Sequence, residues 1–279
     1  MININVINES FEFYNINEKY KNRCYEALKA INSNERFIES FEKIYKILYI
    51  EDFKKVKELW KINDIDILFS NSINPFVTNL MILLGYEIHK RNMEKYKLDI
   101  HQINIQKRRV KECFENDLTD RGYNAVRISQ MLWSAYFIRG KIIEVGSLQF
   151  EYEDDSTIKI HIPKNTDFDI LKVKESIEAS KTELKKIYAM DSYEYICDSW
   201  ILSNQLHSII DKNTNISKFY DLFEVTDGEN CLEDILNFVF NIKKCDNYSN
   251  LDEKTSLQRI IKKELLNNSI FCLGMGILK

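Results

Sequence analysis

Apolar residues in the first third of the chain recur at helical spacing. After Asn34 they fall at Phe37, Phe41, Ile44, Ile47 and Leu48, one stripe of a 3.6-residue period, and Asn34 stands where a side-chain oxygen caps a first turn. Tyr20, Cys24, Leu28 and Ile31 line one side of an earlier helix over 18–31. The run from Phe76 to His89 reads as a strongly apolar helix. Pro75 falls in its first turn, where the missing N–H is no loss. A more charged helix covers 98–118.

Near Gly122 the period changes. Trp133 to Phe137 is apolar, and Lys141 to Tyr152 then alternates, with Ile143, Val145, Leu148 and Phe150 as the apolar positions. The phase slips at Gly146-Ser147, the mark of a turn or bulge between strands. Asp154-Asp155-Ser156 is a second turn signal, and Ile158, Ile160 and Ile162 alternate beyond it. Residues 141–162 are therefore predicted as consecutive antiparallel strands. Val173, Ile177, Leu184, Ile187 and Tyr188 form a helical face; 193–197 reads as a strand, and Leu202, Leu206, Ile209 and Ile210 as a helix. Thr255-Ser256-Leu257-Gln258 has the spacing of a capping box. Residues 269–278 make a closing strand, loosened at Gly274 and Gly276. The fold class is α+β: a helical domain over 1–121, then a mixed α/β domain over 122–279. No Pro-, Gly- or Ser-rich linker separates them, and no internal repeat is visible.

An apolar fraction of 44% beside 29% charged residues predicts packed cores. The net charge of −4, with both signs intermixed, argues against a nucleic-acid binder, which would carry a basic face. The six cysteines form no CxxC pair and lie away from histidines at metal-ligand spacing, so they read as reduced, mostly buried thiols of a cytoplasmic protein, and no metal is expected. The longest apolar stretch, Leu80 to Leu84, is too short to span a bilayer, and no signal peptide is visible at the start.

Several segments in the second half carry a specific combination. They are Gly146-Ser147-Leu148-Gln149-Phe150-Glu151, His161-Ile162-Pro163, Cys197-Asp198-Ser199-Trp200-Ile201-Leu202, Asn213-Thr214-Asn215-Ile216 with Phe219 and Phe223, and Leu251 to Arg259, ending in Gly274-Met275-Gly276. In this order and spacing they resemble the GNAT-like C-terminal domain family, N-acyltransferase-like proteins with their own helical N-terminal domain. The chain departs from the family where Ser147 replaces an arginine, and where Asn204 and Asp252 replace prolines. The resemblance implies acyl transfer from a coenzyme A thioester to an amine or hydroxyl acceptor, with a small-molecule or peptide amine as the expected partner, without a covalent enzyme intermediate. It implies that acyl-CoA is the co-substrate, that a splayed strand pair admits the pantetheine arm, and that the following loop and helix hold the pyrophosphate. Here those would be Ile160 and Ile162 on the strand, Lys164 in the loop and Lys172 on the helix, with Arg259 a further phosphate partner. The loop, Pro163 to Ile170, contains no glycine, and Asp167 and Asp169 stand near the helix start, where they would cap it themselves and repel phosphate.

Such chemistry needs a base for the acceptor amine and an acid for the departing thiolate. Glu151, pointing with Gln149 to one strand face, and His161, at the end of the strand that would flank pantetheine, are the candidate bases. The alternative is a solvated carboxylate and a polar outer-face histidine. Ser199 is the candidate acid. Cys197, lacking a basic neighbour in sequence, reads as a buried apolar residue rather than a nucleophile. Two other functions stay open: a non-catalytic sensor of CoA or an acyl ligand, and an interaction scaffold on a degenerate fold.

Overall fold

The structure, a computed structural model, describes residues 4–52, 54–57, 74–119, 122–164, 166 and 168–279. The chain divides into two compact units, Met1–Ile143 and Glu144–Lys279.

The first unit is helical: α1 (Ile4–Tyr14), α2 (Lys21–Asn32), α3 (Glu35–Tyr49), α4 (Lys54–Lys57), α5 (Val77–Leu84), α6 (Tyr86–Lys95), α7 (Ile100–Thr119) and α8 (Ile128–Ile138). Asn34 caps α3, its side chain accepting from the Arg36 amide. Every residue of α5 is buried, as an uncharged octapeptide demands. The single helix expected over 76–89 is two. They meet at Gly85, where an added Cβ would lie 2.8 Å from both Ile138 and the Tyr49 ring, so the close passage of α3 and α8 side chains requires glycine there. Pro75 lies ahead of the helix, in a turn closed by the Val77 amide on the Asn74 carbonyl at 3.2 Å. Helix α1 was not anticipated, although Ile7, Phe11 and Tyr14 bury one face of it. The 18–31 helix begins as a 3-10 turn, Glu18–Tyr20.

The division expected after residue 121 differs from the compact units, because α8 stays with the helices. Buried Asp117 at the end of α7 accepts from the Arg127 amide at 2.7 Å and from its guanidinium at 3.0 Å, while Met131, Ala135 and Ile138 enter the helical core.

A buried hydrogen-bonded chain crosses this unit. Gln106 donates its amide to the Ile142 carbonyl at 2.7 Å, so its oxygen receives the His89 Nε2 proton at 3.2 Å. His89 Nδ1 then accepts from the Tyr14 hydroxyl at 3.0 Å. Burial pushes the His89 pKa down to about 4. Above the ordinary value of 6.5 the ring is neutral in the folded and unfolded chain alike. Between 6.5 and 4 only the unfolded chain takes up the proton, so stability falls as pH falls, by about 3 kcal/mol in total. Urea melts across that window should show this slope, and His89→Gln should remove it.

The second unit is built on one sheet, whose first strand begins in the last two residues of the first unit: β1 (Ile142–Val145), β2 (Leu148–Asp154), β3 (Thr157–His161), β4 (Glu194–Ser199), β5 (Phe223–Asn230) and β6 (Cys272–Leu278). The order is β1-β2-β3-β4-β6-β5. Strands β2/β3, β4/β6 and β5/β6 are antiparallel, whereas β3 and β4 are parallel. The parallel pair needs a crossover, which α9 (Ile170–Tyr188) provides. Its Val173, Ile177, Leu184 and Ile187 are buried, and Ser180 Oγ meets the Tyr195 hydroxyl of β4 at 2.5 Å. Helices α10 (Asn204–Ile209), α11 (Asn215–Tyr220), α12 (Leu232–Val239) and α13 (Ser256–Leu266) follow, α13 with both bonds of the capping box at Thr255 and Gln258. The helix expected from Leu202 to Ile210 is split: Trp200–Leu202 is a 3-10 turn, and Ser203 caps α10.

Candidate active site

Side chains alternate faces along a strand, and lateral partners share a face. The register pairs Gln149 with His161 and Glu151 with Lys159, Lys159 with Ile196, and Ile196 and Asp198 with Ile277 and Met275. All of these side chains therefore occupy one face of the sheet. The opposite face carries Phe150, Ile158, Ile160 and Cys197, all buried, and Tyr195, which meets α9.

Three polar pairs bridge successive strands on the first face. Gln149 Nε2 donates to Glu144 Oε2 at 2.9 Å, linking β2 to β1. His161 Nε2 lies 2.7 Å from Glu151 Oε2, linking β3 to β2. Lys159 Nζ lies 2.5 Å from Asp198 Oδ2, linking β3 to β4. Glu151 is only 3% exposed, so it is not solvated; a buried carboxyl group requires a hydrogen-bonding partner, and His161 is one. Burial works against the charge on Lys159, but its bond to Asp198 and the nearby Glu151 and Glu153 hold its pKa above the ordinary value.

The β3/β4 ladder runs through Thr157–Glu194, Ile158–Tyr195 and Lys159–Ile196 and ends there. Strand β3 continues to His161, held by β2, and β4 continues to Ser199, held by β6. Each arm keeps its outer neighbour while the inner ladder stops, which leaves the C-terminal ends of the parallel strands unpaired with each other, an opening between two arms. Ile160 and His161 form one arm. Lys159, on the last rung, reaches diagonally to Asp198 on the other.

Thr166 and Phe168, in the loop after β3, are held from two sides. Thr166 Oγ1 donates to the Ser147 carbonyl at 3.3 Å, and the Phe168 ring packs on Phe219 of α11, centroids 5.0 Å apart. Ser147 in turn receives support from α9, its amide donating to Ser176 Oγ at 2.9 Å. Asp169 caps α9 by accepting from the Leu171 and Lys172 amides, at 2.8 and 3.3 Å. Two amides that a phosphate would use are thus already engaged. Lys164 and Lys172 are exposed at either end of the loop. Asn165 and Asp167 lie outside the described residues.

Of the residues singled out in the sequence, the structure brings together Glu151 and His161, with Ile160 beside them on the arm and Ile162 one residue past the strand. It does not bring Ser199 to them. Ser199 shares its face with Cys197, opposite the Glu151–His161 pair, and its hydroxyl caps the Trp200–Leu202 turn by accepting from Ile201 at 3.3 Å. Arg259 is engaged elsewhere, donating to the Glu253 carbonyl ahead of its own helix at 2.9 Å. Burial pushes the Cys197 thiol up to about 12, which fits a packed residue and not a nucleophile. Glu144 and Lys159 were missed, their only sequence signal being polar alternation, and Asp198 stood in the Cys197–Leu202 segment without a role; the three become a constellation once the register is fixed.

Among the described residues, no group of three or more His, Cys, Asp or Glu is arranged to hold a metal ion, and no helix is long and apolar enough to cross a membrane. Among solved structures, the chain is similar to an acyltransferase in complex with decanoyl-CoA, with a TM-score of 0.64 and 15% identity over 73% of this chain and 65% of that one. It is also similar to an acyltransferase in complex with decanoyl-CoA and teicoplanin (TM-score 0.63, 18% identity, 73% of this chain and 66% of that one). A third similar structure is an acyltransferase in complex with CoA and 10C-teicoplanin (TM-score 0.62, 17% identity, again 73% and 66%). At these identities the likeness is one of fold, and the match spans just under two thirds of the length of those chains. No curated protein sequence matches the chain. The model of the GNAT-like C-terminal domain matches residues 123–278, more than half of the chain, and the protein belongs to that family.

Proposed function

We propose that this protein is an acyl-CoA-dependent N-acyltransferase that transfers the acyl group directly from the thioester to an amine. The observation that carries this reading is the end of the β3/β4 ladder, because strand ends that have lost their mutual ladder offer backbone amides and carbonyls to an extended amide-bearing arm such as pantetheine. The pair of buried Glu151 and half-buried His161 beside it supplies a base. With His161 Nε2–H directed to the Glu151 carboxylate, the proton-accepting nitrogen is Nδ1. The acceptor nitrogen bonds to the thioester carbonyl carbon and gives its proton to His161, while Glu151 stabilises the imidazolium. The C–S bond then breaks, and the imidazolium returns that proton to the departing thiolate, so a second acid is not required. In this scheme His161 touches the reacting groups and Glu151 positions it.

The fit is better for the pantetheine arm than for the pyrophosphate. Lys164 and Lys172 offer positive charge, but the Asp169 cap removes two helix amides from phosphate binding. Free CoA is therefore expected to bind weakly. An amine-bearing small molecule is the acceptor class we favour, a reading supported by similar structures that hold teicoplanin. The six free thiols support a reducing compartment such as the cytoplasm.

A thermal-shift titration with CoA and octanoyl-CoA tests the proposal. Ligand at about a hundred times its dissociation constant should add roughly 2.7 kcal/mol, and thiol release from octanoyl-CoA should accelerate with members of an amine panel. A shift without amine-dependent release would favour the sensor. No shift at millimolar ligand would defeat both and point to a scaffold.

A further inference from the structure

We propose that Asp198 of β4 receives the acceptor amine as its ammonium ion, so that the acceptor is an amine that arrives protonated. The inference rests on reading the end of the β3/β4 ladder as the thioester site, and it adds how the acceptor is held there and what charge it brings. The pairing of Thr157, Ile158 and Lys159 with Glu194, Tyr195 and Ile196 stops at the last of these rungs. Carried two residues further in the same register, it would set His161 opposite Asp198. Both side chains stand on the face that carries Lys159, because alternate residues of a strand share a face. The candidate base and this carboxylate therefore belong to opposite arms of the opening, at the same level.

Asp198 is suited to a cation. Its side chain is 31% exposed, so a solute can reach it, and Lys159 is its only hydrogen-bond partner among the described residues. That bond uses Oδ2, which leaves Oδ1 for a second donor. The lateral neighbour on β6 is Met275, which brings no competing charge. Lys159 shows from within the chain that the place accepts an ammonium: burial opposes its charge, and Asp198, Glu151 and Glu153 together outweigh that cost. An alcohol would bring no charge to Asp198, and an anionic acceptor would be repelled. A protonated amine is not yet a nucleophile. The bound ammonium gives one proton to water on the exposed side of Asp198, and the free amine then attacks the thioester, with His161 taking and returning the second proton. The sum is ammonium plus thioester to amide, thiol and one proton released to solvent.

The test is steady-state thiol release from octanoyl-CoA by the full chain, with two matched amines. Ethylamine is a cation near neutral pH, and trifluoroethylamine is neutral there. Asp198→Asn, with its melting temperature checked, should raise the KM for ethylamine about tenfold, the lower end of the range for a hydrogen bond to a charged group, as suits a partly exposed site. The KM for trifluoroethylamine and that for octanoyl-CoA should stay where they were. Lys159→Met, which frees both carboxylate oxygens, should lower the ethylamine KM. If Asp198→Asn raised the KM of both amines alike, or if Lys159→Met did the same as Asp198→Asn, the pair would only brace the two arms; the inference would be overturned and the thioester site left intact. An ethylamine KM unchanged in Asp198→Asn, or no acceleration by ethylamine in the unaltered protein, would overturn it too. Failure of octanoyl-CoA to bind at all would overturn the inference together with the reading beneath it.

Discussion

Replacing His161 by glutamine is expected to reduce amine-dependent thiol release from octanoyl-CoA by about 10²- to 10⁴-fold, the range for loss of a general base. Glutamine is the informative choice. Its side-chain amide can still donate to Glu151, so the variant removes proton-accepting ability without leaving a buried carboxylate alone. His161→Ala would do the latter, and stranding a buried charge costs about 3–5 kcal/mol, which would confuse a folding defect with a catalytic one. Glu151→Gln should lower the rate less, because the imidazole remains while the partner that orients it and stabilises its charged form is weakened. Groups that act as a unit are not additive. The double variant His161→Gln, Glu151→Gln should therefore be no slower than His161→Gln alone. The thermal shift with octanoyl-CoA should persist in all three. A His161→Gln enzyme with an unaltered rate would remove the proposed base, and a double variant slowed by the product of the two single effects would show two independent roles.

The second large effect is structural. Gly274 of β6 lies directly beneath the Trp200–Leu202 turn, where an added Cβ would be 2.0 Å from the Leu202 carbonyl oxygen and 2.3 Å from its carbon. Backbone cannot swing aside as a long side chain can. Gly274→Ala must displace the turn or the strand, and a loss of about 3 kcal/mol is expected, at the upper end of overpacking penalties. Gly122 is the control. Its φ is +64° with nothing within 4 Å of an added Cβ, so Gly122→Ala should cost only the backbone preference, about 1 kcal/mol. Paired denaturant melts measure both. A Gly274→Ala melt indistinguishable from that of Gly122→Ala would show that the turn yields freely. Because Ser199 and Leu202 hold the outer arm of the opening, Gly274→Ala should also weaken acyl-CoA binding, whereas Gly122→Ala should not.

Much of this was legible in the sequence where the signal is local. Asn34, Thr255 and Gln258 act within one helical turn, and their caps formed as their spacing indicates. Strand β5 gave no such signal. Its sequence, Phe-Glu-Val-Thr-Asp-Gly-Glu-Asn, belongs to the edge of the sheet, where only Phe223 is buried, so no alternation marks it. Gly274 and Gly276 read as weak points of a strand, when in fact they admit a neighbouring backbone and side chain. The Glu151–His161 pair illustrates a deeper limit. A plain two-residue turn at Asp155-Ser156 would continue from Asp154–Thr157 to Glu151–Ile160. The ladder instead passes over Glu153, pairing Tyr152 with Ile158, and that one-residue bulge brings Glu151 and Lys159, and Gln149 and His161, onto a common face. Residue types alone suggested both members of the pair, but their burial and contact depend on the bulge. Lys159 and Asp198 lie on strands separated by the whole of α9, and only the parallel crossover brings them together.

The strand order has a consequence for how the second unit comes into being. Strand β6 is inserted between β4 and β5, although it follows both in sequence. Until residues 272–278 arrive, β5 has no partner in the sheet and one edge of β4 is bare. The hairpin β2/β3 can form early from near neighbours, whereas this half must close loops of tens of residues before any rung is gained, a slow step by the logic of contact order. A partly folded species with two unsatisfied strand edges is the kind that pairs with other chains. Refolding yield should therefore fall steeply with protein concentration, and slowing the docking of β6 should divert the chain into aggregates before any loss of native stability is apparent.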